Sequence, residues 1–147
     1  MLIAKLIHIL GFTVWVGGMF FSYVALRPAA GMLEPAVRMT LWVGTLQRFF
    51  RWVWMSILLI FGSGIYMITL LGSLPGYVTA MFFLGVVMTF LFLIVSYVPF
   101  ASLKHSVAAQ NWAEGAKSLG QIRKLMGVNL MLGLATIVIG AAGPLAH

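Results

Sequence analysis

His8 stands out among the polar side chains within the apolar stretches of this chain, because an imidazole there could carry chemistry. Neutral imidazole ligates haem iron, copper and zinc, and it also relays protons. His8, Gly11, Trp15, Gly18 and Ser22 recur three and four residues apart, so one helix face holds them all. Small residues on that face let a neighbouring helix approach closely, which turns the face toward other helices. An ionisable residue pointing into a membrane bundle marks a functional site by default. A histidine there could also simply hydrogen-bond a neighbouring helix or interfacial water.

Partners for His8 must lie at its depth. Tyr66 and Met67 near the end of the second apolar stretch, and Met81 near the start of the third, meet that condition, with Met1 and His147 at the surface above them. A thioether with an imidazole suits Cu(I), and equally an axial pair on haem b. Methionine is also an all-purpose packing residue, and the chain has ten. His105 falls most of a membrane thickness from His8, so one metal centre cannot use both. A bis-histidine haem would need His147, or His8 from a second subunit. Absence of cysteine removes disulfides, thiolate metal sites and Cys-x-x-Cys redox chemistry. The two carboxylates, Glu34 and Glu114, fall in loops, and no nucleophile triad, P-loop or carboxylate pair is present.

The elements that must position His8 follow from the charges. Lys, Arg, Asp and Glu are confined to Lys5 and to the segments 27–51 and 104–124, leaving 6–26, 52–103 and 125–147 free of them. A helical span needs about 20 apolar residues, so these stretches hold one, two and one spans, roughly 3–26, 52–71, 78–100 and 125–143. With 63% hydrophobic and 7% charged residues, against roughly 25% charged in soluble domains, the chain reads as all-α, a single four-span membrane domain over 1–147. The first stretch is too long for a signal peptide's apolar region and is read as a retained span. His8 lies about five residues into it, roughly 7–8 Å below the boundary.

Arg27-Pro28 should end the first span. The loop over 28–47 then includes a mixed segment, Val37 to Gln47, suited to a helix lying at the interface. Gly72-Ser73-Leu74-Pro75-Gly76 is a tight turn between antiparallel spans. The third span's helix continues past Pro99, and Asn111 with Glu114 forms a capping-box signal for a helix that runs through Lys124 into the fourth span. Asn129, Gly133, Thr136 and Gly140, and likewise Gly85, Thr89, Phe92 and Ser96, read as packing seams, and Trp42, Trp52 and Trp54 as an interfacial belt. Eight of the nine Lys and Arg fall in the first and third loops. The positive-inside rule puts those loops in the cytoplasm and both termini outside. The basic residues therefore serve orientation and anionic lipid headgroups, with no role for nucleic acid.

Leu6 to Leu10 through Trp15-Val16-Gly17-Gly18-Met19-Phe20-Phe21, Leu26 to Ala30, Arg48-Phe49-Phe50 with Trp54, and Gln121 to Leu125 leading into Asn129-Leu130 and Leu132-Gly133-Leu134 together resemble the CopD family of bacterial membrane proteins. The His-x6-Trp-x-Gly-Gly element beginning at His8 is the most specific part. The resemblance implies a four-helix core linked to copper uptake or resistance; in a bacterial inner membrane the charge asymmetry then makes both termini periplasmic. It also implies kinship with HemJ-type protoporphyrinogen oxidases, which carry a first-helix histidine and bind b-type haem; His8 is the matching position. A third-helix histidine or lysine expected of such relatives has no match, since Ile94 stands at that level and Lys104 and His105 come later.

The resulting expectation is a copper-uptake or homeostasis protein, a binding protein rather than an enzyme. It would hold a redox metal near the periplasmic face through His8, with Met67 and Met81 as soft ligands. The alternative is a b-type haem protein that transfers electrons or oxidises a porphyrinogen, and the third reading is an accessory subunit without a ligand. Expected partners are the lipid bilayer, a second copy completing the site, and a periplasmic copper or redox protein.

Overall fold

A computed structural model describes residues 1–146, so His147 lies outside the described residues. The described chain is helical and has four helices long and apolar enough to cross a membrane. In hydrocarbon every backbone N–H and C=O must be satisfied within the chain, and a continuous helix does this with local bonds alone.

Helix α1 spans Leu2–Ala30 and contains one π turn, Ser22–Leu26. The expectation that Arg27-Pro28 ends this helix is corrected: the helix carries on through Arg27–Ala30. Within the π turn the Arg27 N–H reaches back to the Ser22 carbonyl. This wider turn makes room for the Pro28 ring, which would otherwise clash with the carbonyl four residues earlier.

Helix α2 is Pro35–Leu71, 37 residues long, or roughly 55 Å at 1.5 Å per residue. The segment 37–47 is helical as expected, but it is the first part of α2 rather than a separate interfacial helix. Nothing in it breaks a helix, and at Gly44 the Arg48 guanidinium donates to the glycine carbonyl at 3.0 Å. Trp42 is accordingly buried in the bundle rather than placed in a belt, while Trp52 stays exposed. Gly72 closes α2 in the left-handed conformation (φ 64°), where a residue without Cβ carries no steric penalty.

Helix α3, Gly76–Tyr97, is followed by a sharp bend at Val98 and by α4, Pro99–Ala108. The third span therefore does continue past Pro99, with a kink where the proline lacks its N–H. Helix α5, Trp112–Ala142, opens with the Asn111 side chain accepting from the Glu114 N–H at 3.3 Å, as the capping signal predicts.

The bundle consists of two antiparallel pairs joined along the middle. Helix α1 packs chiefly on α2, and α3 and α4 pack on α5. Trp15, Phe50 and Trp54 each meet Phe92 edge-on, with ring centroids 5.2–6.3 Å apart, which ties α1 and α2 to α3. Such pairs add about 0.5–1.5 kcal/mol each beyond burial. Met1, the 72–75 turn and Leu145 lie at one end, called here the terminal end. The cations of 27–51 and 104–124 lie at the other, the basic end.

Glycine seams set the closeness of the helices. A methyl on Gly133 would lie 2.8 Å from Val16 Cγ2 and 3.2 Å from Met88 Cε, whereas one on Gly17 would meet nothing within 4 Å. Gly133→Ala should destabilise the bundle by about 1–3 kcal/mol, and Gly17→Ala should leave it unchanged or slightly more stable. Detergent-driven unfolding followed by circular dichroism measures both, and equal midpoints for the two variants would contradict the packing described.

Candidate functional site

The site is built where α1 crosses α2. Along this seam Gly11 faces the Ser56 carbonyl and Ile60, and Gly64 faces the His8 ring. A helix carbonyl is normally shielded by the side chain one turn later. Here that residue is Gly64, and a Cβ on it would lie 3.3 Å from His8 Cε1. The missing side chain opens the Ile60 carbonyl to the neighbouring helix.

His8 occupies the opening. Its Nδ1 lies 3.0 Å from the Ile60 carbonyl oxygen and 3.1 Å from Ser63 Oγ. A carbonyl can only accept, so Nδ1 carries the proton and donates. The Ser63 hydroxyl proton is committed to the Leu59 carbonyl on its own helix, which leaves Ser63 Oγ as a second acceptor. Phe12 stacks against the imidazole one turn along, 6.5 Å between centroids and 21° between planes. The ring is thus oriented with its proton on Nδ1; in the neutral imidazole this leaves the lone pair on Nε2, which has no hydrogen-bond partner among the described residues. A histidine held by Nδ1–H on a backbone carbonyl, with Nε2 free, is the arrangement found in metal-ligating histidines.

The expected inward face is mostly realised: Gly11, Trp15 and Ser22 are buried, and His8 and Gly18 are half-buried. Met67 lies one turn beyond Ser63 on α2, on the same face, and so belongs to the helix pair that holds His8. Met81 lies in the other pair, its thioether 3.3 Å from where a Gly140 Cβ would be. Tyr66 and Ser63 line a groove of about 820 Å³ between α1 and α2, with Ala4, Ile7, Leu59 and Gly62. His105 is exposed on α4 at the basic end. Among the described residues no three His, Asp or Glu side chains converge, so a metal held here relies on thioethers and single imidazoles.

Sequence reasoning missed Ser63, Gly64 and the Ile60 carbonyl. They carry no signal until the register of α1 on α2 is known, and the loop expected over 28–47 is in fact the short connection 31–34. The Asn129 seam is borne out, its Nδ2 donating to the Met88 carbonyl at 3.2 Å.

A family model described as Copper resistance protein D (CopD) matches residues 43–142. No curated protein and no solved structure matches the chain. The matched stretch takes in Ser63, Gly64, Met67, Met81 and Asn129, and His8 precedes it.

The tautomer is directly testable. In protein carrying ¹⁵N-histidine, with His105 and His147 replaced by Gln, nitrogen NMR should show His8 protonated at Nδ1 and bare at Nε2. The reverse pattern would contradict the hydrogen bond to Ile60.

Proposed function

The chain belongs to the Copper resistance protein D family of membrane proteins, and on that premise we propose that it binds copper through His8 in copper uptake or homeostasis. The observation that carries this reading is the His8 ring held by the Ile60 carbonyl, with Nε2 left to donate to a metal. Met67 offers a thioether from the same helix pair, one turn beyond Ser63. Met81 would join from the α3–α5 pair across the bundle. An imidazole with thioethers selects Cu(I) over harder ions.

The charge asymmetry supports a cytoplasmic basic end. The terminal end then faces the periplasm of a bacterial inner membrane, and His8 is reached from that side, where a copper-carrying or redox partner would meet it. Copper is cargo in this reading, and no reaction is assigned to the chain. The cavities favour copper over haem b. The small cavity near Trp15 has a volume of about 10 Å³, and the larger groove beside His8 does not have His8 in its lining, which supports a single ion on Nε2 over a porphyrin.

Purified protein in detergent, titrated anaerobically with Cu(I) against a chromophoric chelator, tests the reading. His8→Ala should lose one bound equivalent. Ser63→Ala, which removes an acceptor from Nδ1–H but leaves the Ile60 carbonyl, should weaken that equivalent by roughly 10-fold. Full copper binding by His8→Ala would overturn the assignment. A dithionite-reduced visible spectrum with a Soret band that His8→Ala abolishes would replace copper by haem b.

A further inference from the structure

We propose a second Cu(I) site in the middle of the bundle, formed by the thioethers of Met19 and Met126 and the side-chain carbonyl of Asn129. The proposal rests on the copper reading and extends it from a binding site near one face to a path through the bundle.

Asn129 is 3% exposed. Its Nδ2 is engaged with the Met88 carbonyl, but its Oδ1 is buried with no partner among the described residues. An unpaired carbonyl is costly in a water-free environment and calls for a positive or hydrogen-bonding partner. Asn129 lines the enclosed cavity of about 10 Å³ together with Met19 and Met126, and with the rings of Trp15, Phe50 and Phe92. That volume holds one small particle. A water molecule needs two to four polar partners, and this lining of thioethers, aromatic rings and valines supplies no more than the Asn129 oxygen and the Trp15 indole N–H. Cu(I) is better matched, because thioethers are its preferred ligands and the aromatic faces stabilise a cation that carries no hydration shell.

Location gives the site its role. Met19 is eleven residues along α1 from His8, about 16 Å toward the basic end. A cation leaving His8 would pass the buried Met88 thioether, packed at the level of Val16 and Gly133, and then reach Met19 and Met126. The site has no carboxylate or thiolate, so it would hold Cu(I) weakly enough to release it. Conduction demands just that of an intermediate site.

The test counts copper and identifies its ligands. Wild-type protein should bind two Cu(I) equivalents in the chelator competition. The Met19→Leu/Met126→Leu double variant conserves volume and should bind one, with X-ray absorption showing nitrogen scattering from His8 retained and sulfur scattering reduced. Asn129→Leu should weaken the same equivalent, and Met131→Leu, at an exposed position, should change nothing. In His8→Ala the remaining equivalent should keep sulfur scattering and lose the outer-shell scattering of an imidazole ring. Two equivalents in the double variant would overturn the mid-bundle site. One equivalent in wild type, abolished by His8→Ala, would overturn it while sparing the His8 site; one equivalent abolished only by the double variant would do the opposite. If the double variant does not fold, sulfur-free absorption by His8→Ala overturns the proposal by itself.

Discussion

A bilayer provides no water, so each polar group in this chain must find a partner inside the bundle, and the rest of the structure follows from how that is done. Most hydroxyls solve the problem locally. Thr13, Thr40, Thr69, Thr89, Ser106 and Thr136 donate to a carbonyl three or four residues back on their own helix, which satisfies them without fixing any neighbour. The groups that cannot do this are imidazole and carboxamide, and these become the ties between helices. His8 joins α1 to α2 and Asn129 joins α3 to α5, while Ser118 donates to Ser102 at 2.9 Å between α5 and α4. The polar groups that specify the helix pairing therefore include the ones with chemistry left over.

The leftover capacity differs in kind. Imidazole has two nitrogens, and donating from one leaves a lone pair on the other, so fixing the ring and offering a ligand are the same act. Carboxamide has a donor end and an acceptor end, and Asn129 uses only the donor for packing. Glycine controls access in the first case. Gly64 lies where a side chain would cover the Ile60 carbonyl, so replacing it would displace the imidazole rather than merely crowd a seam. In the second case the aromatic cluster around Phe92 closes the cavity and holds the two helix pairs at the separation that leaves it open.

The sequence made the architecture legible because charge in a membrane chain has so few places to go, which sets the spans, while glycine and proline mark the 72–76 turn and Asn111 with Glu114 marks the start of α5. It was less legible where a helix passes a residue that usually stops one. Pro28 is absorbed by a π turn whose wider register has no marker in composition, and 37–47 stays in α2 because an amphipathic segment reads alike whether it lies on the membrane or extends a span past it. The site was half visible. His8 was conspicuous as an imidazole among apolar residues, but its partners are a backbone carbonyl, a serine and a glycine, groups without a sequence signature until the register of α1 on α2 is known. Met81 shares the depth expected of a partner for His8, but depth does not reveal that it packs beside Gly140 in the other helix pair.

Charge also bears on which way a cation would travel. The basic end carries eight of the nine Lys and Arg, and at first sight it should repel Cu(I) approaching from the centre. Those cations sit on flanking helix ends within reach of anionic headgroups, which neutralise them over about a Debye length, near 8 Å at physiological salt. The transmembrane potential acts across the whole hydrocarbon core and is worth about 2.3 kcal/mol per elementary charge per 100 mV. With the basic end cytoplasmic, as proposed, an inside-negative potential draws a monovalent cation from the His8 level toward Met19 and onward. A site at Met19 and Met126 built from neutral ligands lets that modest force suffice. A carboxylate at position 129 would trap the ion inside the bundle, and an apolar residue there would leave thioethers alone to receive it.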